Sequence, residues 1–278
     1  MRMEVGATGG GVHVAGVDIA YDDAGPKSAR TTLVCTHAIG HGARDFELLR
    51  DRLGGDHRVV AFDWPGQGGS GPDDAPPSSA RYAEILAAFL AKLGIERPIL
   101  VGNSIGGAAA FELVATRPEA ARALVVANLG GLFQRNAMSR LVTRSFARFF
   151  EAGARGAWWY PRAFAAYYRM VLPQPPAHAQ RARIVASARE IAPILAAAWR
   201  GFGDTTSDLR PLAPRVQVPV LVAWAMGDVF NPLWGSLDAI RSIPHARVVK
   251  LRAGHNPFLE CADEAAAAVR DFEADLPS

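Results

Sequence analysis

Short apolar runs alternate with longer amphipathic stretches along most of the chain, and that alternation sets the first expectation. Residues 31–36, 58–63, 98–102 and 123–128 are apolar runs of the length of a fully buried strand. Between them, residues 44–53, 79–93 and 105–116 read as helices, with Gly94 and Pro118 as stop signals. Ahead of these, residues 11–21 read as two short strands turning at Gly16. Strands alternating with helices over short connections predict an α/β fold, a mostly parallel sheet flanked by helices on both faces.

The alternation stops at Gly130. From there to about Pro214 the chain carries no buried-strand signal, only helical stretches rich in aromatics, arginine and alanine. It resumes with a strand over 218–224, a helix near 234–242, a strand over 247–251 and a final helix over 262–274. The expected organisation is therefore a core in two parts, 1–129 and 215–278, with an inserted helical cap over 130–214.

Composition narrows the class. Half the residues are hydrophobic and 21% are charged, which fits a packed globular chain. The net charge of +3 is spread through interleaved acids and bases, so no clustered basic patch points to nucleic acid. Cys35 and Cys261 form neither a disulfide framework nor a metal-ligand spacing, and both read as small buried apolar residues. Residues 1–10 lack the apolar core of a signal peptide, and nowhere are there about 18 uninterrupted apolar residues. A cytoplasmic protein with a small-molecule partner, no membrane partner and no stated oligomeric order is the expectation.

The chemistry begins at Gly102-Asn103-Ser104-Ile105-Gly106, a Gly-x-Ser-x-Gly segment between an expected buried strand and an expected helix. Small residues on either side of the serine let strand and helix approach, and the tight turn lifts the hydroxyl clear of the sheet. The Ile105 amide opens a helix, where backbone N–H groups lack internal partners and favour negative charge. It is one expected oxyanion donor. The Ile39 amide, in the loop His37-Ala38-Ile39-Gly40, is the other.

A serine hydroxyl needs a base to take its proton and a group to orient that base. His255, just past an expected strand in Ala253-Gly254-His255-Asn256-Pro257, reaches the same sheet edge as Ser104. Asp228 follows the strand ending near Trp224, where a carboxylate can bind the far imidazole nitrogen and fix its tautomer.

In this order and with these loop positions, the chain resembles the α/β-hydrolase superfamily. The resemblance spans the His37 loop, the Asp63-Trp64-Pro65-Gly66-Gln67-Gly68 turn, the Ser104 elbow, the Asp228 loop and the Gly254-His255 loop. It implies a serine hydrolase with Ser104, Asp228 and His255 as triad and no metal or organic cofactor. The chain departs from the family with Ala38 where relatives have glycine, and with Ala225 where they continue Trp-Gly. By the same resemblance Asp63 supports the glycine-rich turn, and Glu260 makes a structural hydrogen bond near the histidine loop. His37 is expected to anchor its loop and His41 to lie at the surface or pocket rim.

Carboxylic ester or lactone hydrolysis is the leading expectation. Gly-Asn-Ser-Ile-Gly-Gly is also similar to the nucleophile segment of hydrolases that cleave carbon–carbon bonds in ring-fission products, but those place tryptophan where Asn256 stands. A relative that binds a small ligand without turnover is the third reading. Epoxide hydrolysis and dehalogenation are disfavoured, because relatives doing that chemistry carry aspartate at the position of Ser104. The aromatics Phe146, Phe149, Phe150, Trp158, Trp159, Tyr160, Phe164, Tyr167 and Tyr168 are expected mainly to pack the cap, with some lining an apolar pocket.

Overall fold

The structure, a computed structural model, describes residues 8–134 and 136–277. The leader reading over residues 1–7 and the segment positions 135 and 278 lie outside the described residues.

The chain opens with the hairpin β1 (Thr8–Val14) and β2 (Val17–Ala24). Ala15 and Gly16 both take positive φ at its turn, as a two-residue turn matching strand twist requires. There follow β3 (Thr32–Thr36), α1 (Glu47–Leu53), β4 (Arg58–Phe62), α2 (Ser79–Leu93), β5 (Ile99–Asn103), α3 (Ile105–Thr116) and β6 (Ala123–Ala127). The helices α4 (Ala137–Ala154), α5 (Tyr160–Val171), α6 (His178–Ala186) and α7 (Ala188–Gly201) stand between β6 and β7 (Val220–Ala225). The chain then forms α8 (Leu237–Arg241), β8 (Ala246–Leu251), α9 (Pro257–Glu260) and α10 (Ala262–Ala274).

The strands make one sheet in the order β1-β2-β4-β3-β5-β6-β7-β8. β2 runs antiparallel to β1 and β4, and every other pair is parallel. Successive residues of a strand face opposite ways. Val34, Leu100, Val126 and Val222 thus pack on one face with Phe89 and Phe111, while Cys35, Val101, Val125 and Leu221 pack on the other with Leu49, Val269 and Phe272. Each such side chain contributes about 1.5–3 kcal/mol when fully buried. That two-sided burial is why the central strands read as continuous apolar runs.

Where element bounds differ from the sequence reading, local chemistry explains it. β7 starts at Val220 because Pro219 has no N–H to give the ladder. The expected helix at 234–242 breaks at Ser236 into a 3-10 turn, Leu233–Gly235, and α8. The helix read over 44–53 likewise opens with a 3-10 turn, Ala43–Phe46. β1 starts at Thr8, earlier than read, since Gly9, Gly10 and Gly11 carry no strand signal of their own. The short α9 was not read from the sequence at all. Cys261 is half-buried rather than buried, and neither cysteine is bonded to another. No helix among the described residues is long and apolar enough to cross a membrane.

Candidate active site

The carboxyl ends of β3, β5, β7 and β8 bring four loops to one sheet edge. At the end of β5, Ser104 takes φ 54° and ψ −121°, and the chain turns at once into α3. That crossing is tight enough to exclude side chains. A Cβ on Gly106 would lie 2.3 Å from the Thr36 oxygen, and one on Gly102 would lie 2.5 Å from the Gly107 Cα. Ser104 N donates to the Ala127 oxygen at 3.0 Å, fixing the turn against β6.

The loop from His37 to Gly40 is held from several sides. His37 Nδ1 donates to the Ala38 oxygen at 2.7 Å and its Nε2 accepts from Trp64 N at 2.9 Å, which sets the neutral tautomer. Burial holds the His37 pKa below its ordinary value, outweighing the charges of Asp63 and Asp45. Gly40, at φ +77°, donates to Gln67 Oε1 at 2.6 Å. Asp63 accepts from Ala43 N at 2.7 Å and Gly69 N at 2.8 Å, bracing both this loop and the glycine-rich turn. The Ile39 and Ile105 amides donate to no group among the described residues, and both residues line the cavity that contains Ser104.

His255 Nδ1 donates to Asp228 Oδ2 at 2.7 Å. The carboxylate also accepts from Asn128 Nδ2 at 2.7 Å, Phe230 N at 2.9 Å and Asn231 N at 3.1 Å. Burial pushes Asp228 up, but the His255 charge and hydrogen bond, with the Phe230 and Asn128 donors, leave it below the ordinary carboxylate value. Burial pushes His255 down, and the charge and hydrogen bond of Asp228, then the charges of Glu260 and Asp45, carry it above 6.5. Ser104 and His255 line one cavity, although no hydrogen bond joins Ser104 Oγ to the ring among the described residues. Such contacts commonly tighten only when substrate arrives.

A profile described as "Alpha/beta hydrolase family" matches residues 33–269. The chain belongs to that family.

Similarity to other α/β-hydrolases extends over nearly the whole length. A protein of Azorhizobium caulinodans, provisionally named carbamate hydrolase RutD, is 27% identical over 252 residues, 88% of this chain and 91% of that one. An esterase from Rhodococcus sp. ECU1013 superposes with TM-score 0.81 at 23% identity, covering 98% of this chain and 99% of that one. The enol-lactonase from Burkholderia xenovorans LB400 gives TM-score 0.75 at 20% identity, covering 96% and 100%. At those identities the two structures show likeness of fold.

In this α/β-hydrolase the cavity measures about 510 Å³ and is walled by aromatics. Of the aromatics singled out from sequence, Tyr167 and Tyr168 line it, while Phe150, Tyr160 and Phe164 are buried in packing. Trp158 is 79% exposed and packs no core. Trp199, Phe202, Phe230 and Trp234 also line the cavity and were not singled out. Of the two places expected for His41, surface or pocket rim, it takes the pocket: it is buried, lines the cavity, and its Nδ1 donates to Asp45 Oδ2 at 2.7 Å. The same oxygen accepts from Asn256 Nδ2 at 2.8 Å, and Asp45 Oδ1 accepts from Gln180 Nε2 at 3.0 Å. Asp45 and Asn128 were not singled out from sequence: Asp45 bonds Gln180 and Asn256, 135 and 211 residues away, and Asn128 bonds Asp228, 100 residues away.

Glu260 accepts from Asn256 N and from Gln174 N, each at 3.1 Å, so one buried carboxylate ties the His255 loop to the chain leaving α5. Burial holds its pKa above the ordinary value despite those donors. His255 N donates to the Val171 oxygen at 2.8 Å at the same seam.

Proposed function

We propose that the chain hydrolyses a carboxylic ester or lactone of a small, largely apolar substrate through an acyl-enzyme on Ser104. The observation that carries this reading is convergence: Ser104, His255 and the two unpaired amides of Ile39 and Ile105 share one cavity, with Asp228 bonded to the far side of the imidazole. The esterase and lactonase names of the structural neighbours, and the carbamate hydrolase name of the relative, all describe cleavage of a carbonyl carbon from a heteroatom.

With Nδ1–H given to Asp228, neutral His255 offers the Nε2 lone pair. Ser104 Oγ attacks the carbonyl carbon as Nε2 takes its proton, and the carbonyl oxygen becomes an oxyanion held by Ile39 N–H and Ile105 N–H. The carbon–oxygen bond to the leaving alcohol then breaks, and that oxygen takes the proton from Nε2. Water attacks the acyl-enzyme, gives its proton to the same nitrogen, and the acid departs as Ser104 recovers its hydrogen. We assign residues 130–214 the role of a cap that supplies the substrate-facing wall.

The test is hydrolysis of short- and medium-chain p-nitrophenyl esters by the wild type and by Ser104→Ala, with folding checked by circular dichroism. Loss of the nucleophile is expected to lower kcat by about 10⁶. Turnover that survives in the folded variant would overturn the assignment.

A further inference from the structure

Among the polar groups lining the cavity, His41 and Tyr168 take no part in the proposed hydrolysis and flank the loop of Ile39. His41 N donates to the Ala38 oxygen at 3.2 Å, closing the turn that holds Ile39, so the His41 ring stands two residues from an oxyanion donor. Its side chain is only 2% exposed, with Nδ1 on Asp45 at 2.7 Å. A carboxylate only accepts, so Nδ1 carries a proton, and in its neutral form the ring presents Nε2 as an acceptor. Nε2 has no partner among the described residues, and His41 lines the cavity beside Ser104 and His255. The amides of Asn256 and Gln180 hold Asp45, so the ring is fixed from behind.

Beside it stands Tyr168. The two rings lie 5.6 Å apart, and a Cβ on Gly40 would come within 3.2 Å of the Tyr168 hydroxyl. That hydroxyl forms no hydrogen bond among the described residues, while Tyr168 is otherwise buried. An acceptor and a donor thus flank the oxyanion loop in a cavity otherwise walled largely by apolar side chains, with no carboxylate among its described lining residues.

We propose that His41 and Tyr168 form a subsite for a hydroxyl group close to the scissile ester bond. Such a hydroxyl donates to His41 Nε2 and accepts from the Tyr168 O–H, whereas an alkyl group there leaves both unpaired. A site built to pair a hydroxyl rejects the analogue that lacks one far more strongly than an apolar pocket rejects a change in length. His41 is here a specificity-determining residue and takes no part in bond breaking. The inference rests on the Ser104 hydrolase reading.

The hydroxyl can sit on the acyl or on the alcohol side, and two substrate pairs separate them: p-nitrophenyl butyrate against p-nitrophenyl 3-hydroxybutyrate, and propyl butyrate against 2-hydroxypropyl butyrate. The wild type is expected to prefer the hydroxylated member of one pair by about tenfold or more in kcat/KM. His41→Phe and Tyr168→Phe should each abolish that preference, lowering kcat/KM on the hydroxylated ester by about tenfold more than on the plain one. Tyr168→Phe removes a single oxygen, so it keeps the test open if His41→Phe fails to fold. No preference in either pair, a preference surviving in both variants, or an equal loss on plain and hydroxylated esters would overturn the subsite alone. A wild type that cleaves none of the four esters would overturn the hydrolase reading and the subsite with it.

Discussion

Asn103 Nδ2 donates to the backbone oxygen of His255 at 2.9 Å and to that of Ala127 at 3.2 Å. The residue before Ser104 therefore grips the loop that carries the proposed base. Asn103→Ala removes that grip and leaves the His255 carbonyl without this donor. A misplacement near 1 Å costs about 10²-fold, so kcat/KM should fall by about 10- to 100-fold. Urea unfolding should report a loss of about 1–3 kcal/mol. An unchanged kcat/KM in the folded variant would show that the tether does not position His255.

The pH profile should carry the mark of Asp228. A general base must be neutral, and His255 titrates above 6.5 because the nearby carboxylate outweighs the effect of burial. Activity should fall as pH drops through that raised value. Asp228→Asn removes the leading cause of the raise, so the acid limb of kcat/KM should move to lower pH. The loss of tautomer control should also lower kcat by about 10⁴.

The same ion pair fixes the sign of its stability effect. The raised His255 pKa contributes stability that is fully present below its unfolded value and is lost as pH rises through the folded one. Seen from its other end, the depressed Asp228 pKa contributes above its unfolded value and is lost as pH falls through the folded one. The Asp228→Asn penalty, followed by urea unfolding at several pH values, should therefore be largest between the two folded values. A penalty that does not shrink as pH passes either folded value would contradict the pairing.

Gly106→Ala should disable the elbow outright. Its Cβ would meet backbone, the Thr36 oxygen at 2.3 Å, and neither strand nor helix can step aside. A loss of at least about 3 kcal/mol is expected in urea unfolding. Gly9→Ala, where nothing lies within 4 Å, serves as the control and should change stability by less than about 1 kcal/mol.

Trp199 tests what walls the cavity. Its ring lies 4.5 Å from that of Phe146 and 5.6 Å from that of Phe202, at the cavity side of α7. Trp199→Ala opens that wall. Relative kcat/KM for a p-nitrophenyl ester two carbons longer should rise by about tenfold over the short ester, in keeping with the worth of a methylene in an apolar pocket. A chain-length profile identical to the wild type would remove Trp199 from the wall that reads the substrate.

Sequence carried the frame because its signals are local. A strand buried on both faces must be a continuous apolar run, as Ile99 to Val101 is, and α2 and α3 end where Gly94 and Pro118 stop them. Gly102, Ser104 and Gly106 are legible for the same reason, since one sharp turn sets all three. The His41–Asp45–Asn256 chain was not legible. Asp45 lies only four residues from His41, but its link to Asn256 spans 211 residues, and nothing in the local sequence shows that the pair is buried with a cavity in front. The cavity walls at Phe230 and Trp234 escaped notice because an aromatic in a loop or a single 3-10 turn has no periodicity to reveal which way it faces.

Glu260 and Asp45 give the fold a property best described in terms of inheritance. The helices between β6 and β7 and the loop that bears His255 are spliced at one seam, where Val171, Gln174 and Gln180 meet His255, Glu260 and Asp45. Helices transplanted between β6 and β7 from another member of the family would bring neither the Gln174 amide at the right height nor the Gln180 side chain. Two buried carboxylates would then be short of donors beside the imidazole. Side chains on the resident helices can be exchanged with the seam left intact, whereas a wholesale exchange must carry its own seam with it.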